Sequence, residues 1–408
     1  MTRLSCGQKL PQPFDSTFLA DPYPGYAQLR ETGAAHRVAL PDGSPIWFVP
    51  REVDVRDWLT DVRLSVNKAH SGIGYKGFSL PPALDANLLN VAPDDHLRLR
   101  RLVSKAFTPR YIEDLRGNVQ AAADRLADDL AEQGTGDLVA TFALPLPLMV
   151  IGDMFAVPKT DRHAFASWVN TMLIPETPHQ VTEAVDNIHG FLVDLVATRR
   201  AAPGADMLST LIAARDEGDR LTEDELVSLA FLILMAGSEN IQHLITAGMV
   251  TLLQHPEQLV ELRADPSLLP SAVEELLRYA HPNLMAIRRF PTEAIEIGGT
   301  RIPPGDTVMF CLASANRDPE RYVSPDRFDI YRADKTHLAL GHGVHYCLGA
   351  PLARIELQIA FGTLLRRFPD LALTIPASQL EWRSSFRSRA LKALPVATGA
   401  DMQRLRAS

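Results

Sequence analysis

Hydrophobic positions along this chain recur with a helical period far more often than they alternate. The longest such stretch begins at Thr222-Glu-Asp-Glu225, where a threonine followed three residues later by a glutamate spells a capping box. No proline interrupts the chain from there to His255, so a helix of ~50 Å is predicted at about 1.5 Å per residue. From Leu226 to Met235 it is apolar nearly all round, the pattern of a helix buried through the middle of a molecule. A second helix follows Pro351, with Leu352, Ile355, Leu357, Ile359, Ala360 and Leu364 close to the helical period. Pro351 suits its first turn, where a missing N–H is not felt. Helical patterns also fill most of the chain up to residue 215, broken near Gly134-Thr-Gly136, Pro175-Glu-Thr-Pro178 and Pro203-Gly204.

Strand patterns are few and short. Val38 and Leu40, then Pro41-Asp-Gly-Ser44, then Ile46 to Val49 read as a hairpin. Ile295 and Ile297, the Gly298-Gly299 turn, Ile302 and Val308 to Phe310 read as another, and Leu380 to Val396 is β-rich. Residues 67–90 hold Gly72, Gly74, Gly77, Pro81 and Pro82 and read as a lid over a pocket, with an ordinary surface loop as the plainer alternative. Residues 1–20 read as an irregular N-terminal segment. No linker, repeat or low-complexity tract divides the rest, so 1–408 is expected to form one domain.

Composition narrows the function. Hydrophobic content of 46% with 22% charged residues describes a globular protein with a substantial core. A net charge of -8 argues against nucleic acid as the partner, because phosphate binding needs a basic footprint. Cys6, Cys311 and Cys347 are too few and too far apart for a disulfide framework or a zinc site. The N-terminus lacks a signal peptide's apolar core, and no run approaches the ~18 apolar residues of a membrane span. A cytoplasmic protein without a membrane anchor is expected.

The densest chemical signal is Gly341-x-Gly343-x-His345-x-Cys347-x-Gly349, directly before the helix that starts near Pro351. Glycines let the backbone pass close to a bulky planar partner. The sulfur is expected at a helix N-terminus, where unpaired N–H groups favour thiolate over thiol. A structural cysteine in a glycine-rich turn is the plainer alternative, but the spacing closely resembles the heme-binding loop of the cytochrome P450 family. The resemblance extends from Pro22 to Val396. It departs at Leu340, where the family usually carries phenylalanine, so the sulfur is expected to lack a ring face beneath it.

That resemblance implies a fold that is mainly α with small β-sheets, holding heme b between the long central helix and the cysteine-loop helix. Cys347 would be the axial iron ligand. His96 and Arg100 share a helix face and, with Arg289 and His345, would meet the two heme propionates; Arg288 adjoins Arg289 and makes that assignment less secure. Arg98, Arg101, Lys105 and Arg110 form a basic cluster, which reads either as an ordinary charged face or as a docking patch for an acidic electron-transfer protein. Glu275 and Arg278, with Arg327, resemble the family's structural triad.

Inside the central helix, Ala236-Gly237-Ser238-Glu239-Asn240 turns polar and resembles the family's oxygen-activation motif. Gly237 would let a flat cofactor or oxygen approach, and Glu239, expected to be buried, would relay protons with Asn240. Here asparagine stands where threonine is usual, so proton handling is expected to be rearranged or the reaction to differ from plain hydroxylation. Leu284, Met285, Ile287, Ser238 and Phe386 are expected to line the substrate pocket, and Cys311 to be core. Few carboxylates or lysines mark the pocket segments, so a strongly charged substrate is not expected. The implied activity is oxidation of a small, largely apolar secondary metabolite with O2 and electrons from a ferredoxin and ferredoxin reductase. The alternatives are oxidative cyclisation or coupling, forming C–N or C–C bonds without oxygen insertion, and a non-catalytic heme sensor.

Overall fold

A computed structural model describes residues 11–72, 80–175, 177–216 and 221–399. The capping box forms as the sequence predicts. Thr222 Oγ1 accepts from the Glu225 N–H at 3.1 Å, and Glu225 Oε2 accepts from the Thr222 N–H at 2.8 Å. The helix it opens runs unbroken over Glu223–Gln254, and Pro256 starts the next one, Pro256–Ala264.

The cysteine-loop helix, Ala350–Arg367, packs against this central helix. Gly248 marks the closest approach, since a Cβ there would lie 2.5 Å from Cζ of the fully buried Phe361. The two helices share one apolar core with Arg116–Gln133 and Pro145–Met154. Each large side chain buried there contributes roughly 1.5–3 kcal/mol. The core thereby sets the distance between the cysteine loop and the polar centre of the long helix.

Small sheets flank the helices. His36–Ala39 pairs antiparallel with Pro45–Val49, and Val308–Phe310 adds a parallel third strand. Ile295–Ile297 and Thr300–Ile302 pair across Gly298 and Gly299, whose φ of 53° and 80° explain two glycines at that turn. Thr135–Asp137, Pro395–Ala397 and Ala372–Leu373 form another sheet. Among the described residues, no helix is long and apolar enough to cross a membrane.

The expectation of an irregular N-terminal segment needs correction in its described part, since residues 1–10, including Cys6, lie outside it. Ser16–Ala20 is a helix whose first turn is capped by Asp15. Phe14 and Phe18 are buried against Tyr26 and Phe48, so aromatic packing orders a stretch too short to show a period. Residues 73–79 of the expected lid also lie outside the described residues. Its far flank is not loose: Pro82–Asp85 is helical, Leu84 is fully buried, and Asn87 Nδ2 donates to Ser228 Oγ of the central helix at 3.2 Å.

Candidate active site

The loop before the cysteine turns sharply, and its glycines are needed for different reasons. Gly341 and Gly343 have φ of 78° and 69°, which a side chain would strain. The Cys347 N–H donates to the Leu340 carbonyl at 2.8 Å, closing the loop. Gly349 has an ordinary φ of -79° and caps the helix; a Cβ there would meet only the Cys347 sulfur at 3.9 Å. Both Cys347 and Gly349 face open space.

That space is a cavity of about 360 Å³. Leu340, Gly341, Cys347 and Gly349 wall one side, and Ala236, Gly237, Asn240, Ile241 and Leu244 of the central helix wall the other. Burial pushes the Cys347 thiol above its ordinary pKa, while the Gly349 and Ala350 N–H groups and the charges of Arg100 and Arg354 pull the other way without prevailing. Burial thus outweighs the pull of the helix N-terminus on this sulfur. A bound metal ion deprotonates such a thiol outright.

His96, Arg100, Arg289 and His345 all border this cavity. The His96 and His345 rings lie 4.3 Å apart between centroids, and His96 Nε2 is buried with no hydrogen-bond partner. Burial, then the charges of Arg289, His96 and Arg100, lowers the His345 pKa to about 3. Burial, then Arg288, brings Arg289 down to about 10, so it stays charged. None of these shifts is offset by a carboxylate. Two guanidinium groups and two imidazoles border this apolar slot without an anionic partner, and a macrocycle carrying two carboxylates answers that need. The donor set fits heme: Cys347 could bind its iron, and His96, Arg100, Arg289 and His345 its carboxylates. Arg288 points elsewhere, donating to Asn90 Oδ1 at 3.1 Å beside a second cavity.

The second cavity, about 460 Å³, lies beyond Asn240, which borders both. Its apolar wall includes Leu89, Met172, Ile174, Phe231, Met235, Met285, Ile287 and Met309. Glu239 also borders it and is a quarter exposed, so the expected full burial of this acid is corrected. The side faces of this cavity carry Asp42, Asp85, Arg288 and Arg387 as well, more charge than the sequence segments suggested.

Met285 and Ile287 line the cavity wall as predicted, but three other pocket assignments fail. Leu284 is the alternate residue of an extended segment and packs into the N-terminal aromatic cluster. Phe386 joins that cluster, 5.6 Å from Phe14, while its neighbours Ser385, Arg387 and Ser388 face the cavity. Ser238 turns inward and donates its hydroxyl to the Leu234 carbonyl at 2.9 Å. At Gly237 a Cβ would lie 2.9 Å from Cδ1 of Ile151, whose side chain would have to shift to admit it.

The predicted triad keeps two members and exchanges the third. Glu275 accepts from Arg278 at 2.8 and 2.7 Å, and Arg332 Nε lies 3.2 Å from both carboxylate oxygens. Arg327 contributes only its carbonyl, which accepts from Arg278 and Arg332, while its side chain is 71% exposed. Cys311 is fully buried, with its thiol pushed up to about 12 by burial, in keeping with a core role. Of the basic cluster, Arg101, Lys105 and Arg110 are exposed, whereas Arg98 is tied to Glu225 and Asp95.

Two further groups carry signals that sequence reasoning passed over. Glu356 interrupts the apolar face of the cysteine-loop helix; it borders the inner cavity, Oε2 has no hydrogen-bond partner, and burial raises its pKa to about 8. His243, next to Gln242 in an otherwise apolar part of the central helix, is 2% exposed.

Comparison with known proteins agrees with this geometry. The cytochrome P450 family model matches residues 148–372. Cytochrome P450 monooxygenase PikC of Streptomyces venezuelae is 45% identical over 382 residues, 93% of this chain and 91% of that protein. The tirandamycin C-bound P450 monooxygenase TamI superposes with a TM-score of 0.89 at 40% identity, covering 95% of this chain and 100% of that one. SgvP, described as a putative thioether synthase in griseoviridin tailoring, superposes at 0.90 with 39% identity, covering 96% and 100%.

Proposed function

The chain belongs to the cytochrome P450 family, and on that premise we propose that it is a heme-thiolate monooxygenase acting on a small, largely apolar secondary metabolite. The observation that carries the reading is the anion-less gathering of Arg100, Arg289, His96 and His345 at the edge of the slot above Cys347. Heme b is the cofactor this donor set suits: Cys347 would hold its iron, and Arg100, Arg289, His96 and His345 would meet its carboxylates. When bound, the heme would activate O2 and supply the oxidising equivalent, the thiolate favouring O–O cleavage.

The remaining work falls to side chains. Met285, Ile287, Phe231 and the methionines of the outer cavity would orient the substrate by apolar contact and exclude water. Asn240, between the two cavities, would present an amide to the reacting centre, and Glu239 would hold or pass a proton beside it. Leu340 borders the slot where a ring would otherwise lie, so the cofactor's potential would be set without aromatic contact beneath the sulfur. Exposed Arg101, Lys105 and Arg110 suit an acidic ferredoxin supplied by its reductase, in a cytoplasmic one-domain enzyme.

A second reading is oxidative ring closure or coupling without oxygen insertion. Asn240 favours it, as does the likeness to SgvP. The primary test is the absorption spectrum of the reduced, carbon monoxide-treated protein. A thiolate-ligated heme spectrum is expected and must be lost in Cys347→His; a protein that takes up no heme overturns both readings. Isotopically labelled dioxygen then separates them, since only insertion labels the product.

A further inference from the structure

Polar side chains buried in a helix as apolar as the central one are almost always hydrogen-bonded. His243 is not. It is 2% exposed and neither ring nitrogen has a hydrogen-bond partner. An imidazole carries at least one N–H, two when charged, so at least one donor is unmet. One helical turn earlier stands Glu239, and residues four apart share a face. Glu239 Oε1 lies 3.6 Å from His243 Nε2, just beyond a hydrogen bond. A modest rotation of the glutamate side chain closes that gap, because its torsions sit in soft, neighbouring wells.

The other side of Glu239 is the outer cavity, where it stands next to Asn240. Arg383 lies across from it: burial lowers the pKa of this arginine, and the Glu239 charge acts to raise it. The carboxylate thus has two cationic or imidazole neighbours, a guanidinium on the C-terminal segment that acts on it through charge alone and an imidazole inside its own helix 3.6 Å away. Among the described residues, Glu239 is the carboxylate within 4 Å of His243.

We infer that His243 is a positioning residue for Glu239, donating Nε2–H to its carboxylate and holding the acid against the helix beside Asn240 instead of toward Arg383. The inference rests on the monooxygenase reading, since the place of this carboxylate matters where protons are delivered. It adds to that reading a residue that never touches substrate or cofactor. With a buried donor fixing it, the carboxylate keeps one orientation while substrate and water exchange in front of it.

The test uses the whole heme-loaded protein in its reduced, carbon monoxide-bound, diamagnetic form, with 15N-labelled histidine. The His243 signals are assigned by their loss in His243→Gln. Expected is an Nε2-protonated ring whose resonance shifts in Glu239→Gln while the other histidines stay put. An Nδ1-protonated ring, or a signal indifferent to Glu239→Gln, overturns the inference. A second measurement counts product per electron consumed. His243→Leu is expected to lower it by about 10-fold, the scale of an outer-shell orienting contact, and His243→Gln, which keeps an N–H, to recover most of it. Equal coupling in all three proteins overturns the inference too. If His243→Leu does not fold, the comparison of wild type with Glu239→Gln still decides. Failure of the monooxygenase reading would be seen separately, as a missing thiolate-heme spectrum.

Discussion

Glu274 and Arg354 are joined by two hydrogen bonds, Nε to Oε1 at 2.6 Å and NH2 to Oε2 at 2.9 Å, across 80 residues of sequence. Arg354 lies one turn into the cysteine-loop helix, and Glu274 lies on Leu269–Ala280, so the pair ties the cysteine loop to the scaffold behind it. His337 Nε2 adds a third contact at 3.2 Å. Burial pushes the Glu274 carboxyl up, but the hydrogen bonds and charges of His337 and Arg354 outweigh it and hold it at about 2.

A carboxyl lowered in the folded protein stabilises it above the ordinary carboxylate range and loses that contribution as pH falls. The contribution should therefore be complete above about pH 5 and fade between there and about pH 2, amounting to about 3 kcal/mol at neutral pH. Urea unfolding of wild type and Glu274→Gln across that range checks it. The gap between the two proteins should close toward pH 2. A gap that stays constant would mean the carboxylate charge is not what matters.

Removing Arg332 should be far more damaging than removing Arg327. Arg332→Ala leaves the 1% exposed Glu275 with one cation fewer, and breaking a buried network of this kind costs about 3–5 kcal/mol. Arg327→Ala removes an exposed side chain and leaves its carbonyl in place, so its effect should stay within about 0.5 kcal/mol. Urea midpoints and the yield of heme-loaded protein read the difference. Equal loss in both variants would contradict the arrangement of the three arginines.

What the sequence revealed here, and what it hid, follows from how local each signal is. The capping box at Thr222, the prolines at 256 and 351 and the glycines around Cys347 act over four or five residues, and each is found where its spacing predicts. Arg327 reads from sequence as a triad member because its main chain does sit there; only the long-range return of Arg332 to Glu275, 57 residues away, decides which guanidinium arrives. Leu284 escapes sequence reading because an extended segment shows its alternation but not which face meets the cavity, and Phe386 because it sits in a bend that has no period to read. Ser238 and Glu239 are adjacent on the central helix, yet one points into the bundle and one into the cavity, and burial on both sides of an apolar helix erases the pattern that would tell them apart.

Glu356→Gln should stabilise the protein increasingly as pH rises. The folded carboxyl, raised to about 8 by burial, stays protonated while the unfolded chain releases its proton above about pH 4.3. Wild type therefore loses stability relative to the variant between about pH 4.5 and 8, by about 5 kcal/mol at most. Thermal unfolding of both proteins at pH 5 and pH 8 measures it. The variant's gain in Tm should be larger at pH 8; a pH-independent gain would mean that the carboxyl is ionised already in the folded state.

Of the polar pair at 239 and 240, Asn240 borders both cavities and Glu239 only the outer one. Its amide offers a donor and an acceptor on separate atoms, fixed in direction by the plane of the group. A hydroxyl at the same place can rotate, donating in one instant and accepting in the next, and in a helix it can rest on the carbonyl one turn back. Asn240→Thr should therefore alter how efficiently electrons end in product, by about an order of magnitude or more, the scale on which a positioned proton donor acts. It should also raise the share of product carrying oxygen from labelled dioxygen if the native reaction closes or couples without insertion. Both quantities come from one turnover experiment with electron consumption followed alongside product. If neither the product distribution nor the coupling moves, residue 240 does not direct the chemistry, and the departure from the usual threonine has no bearing on which bond this enzyme makes.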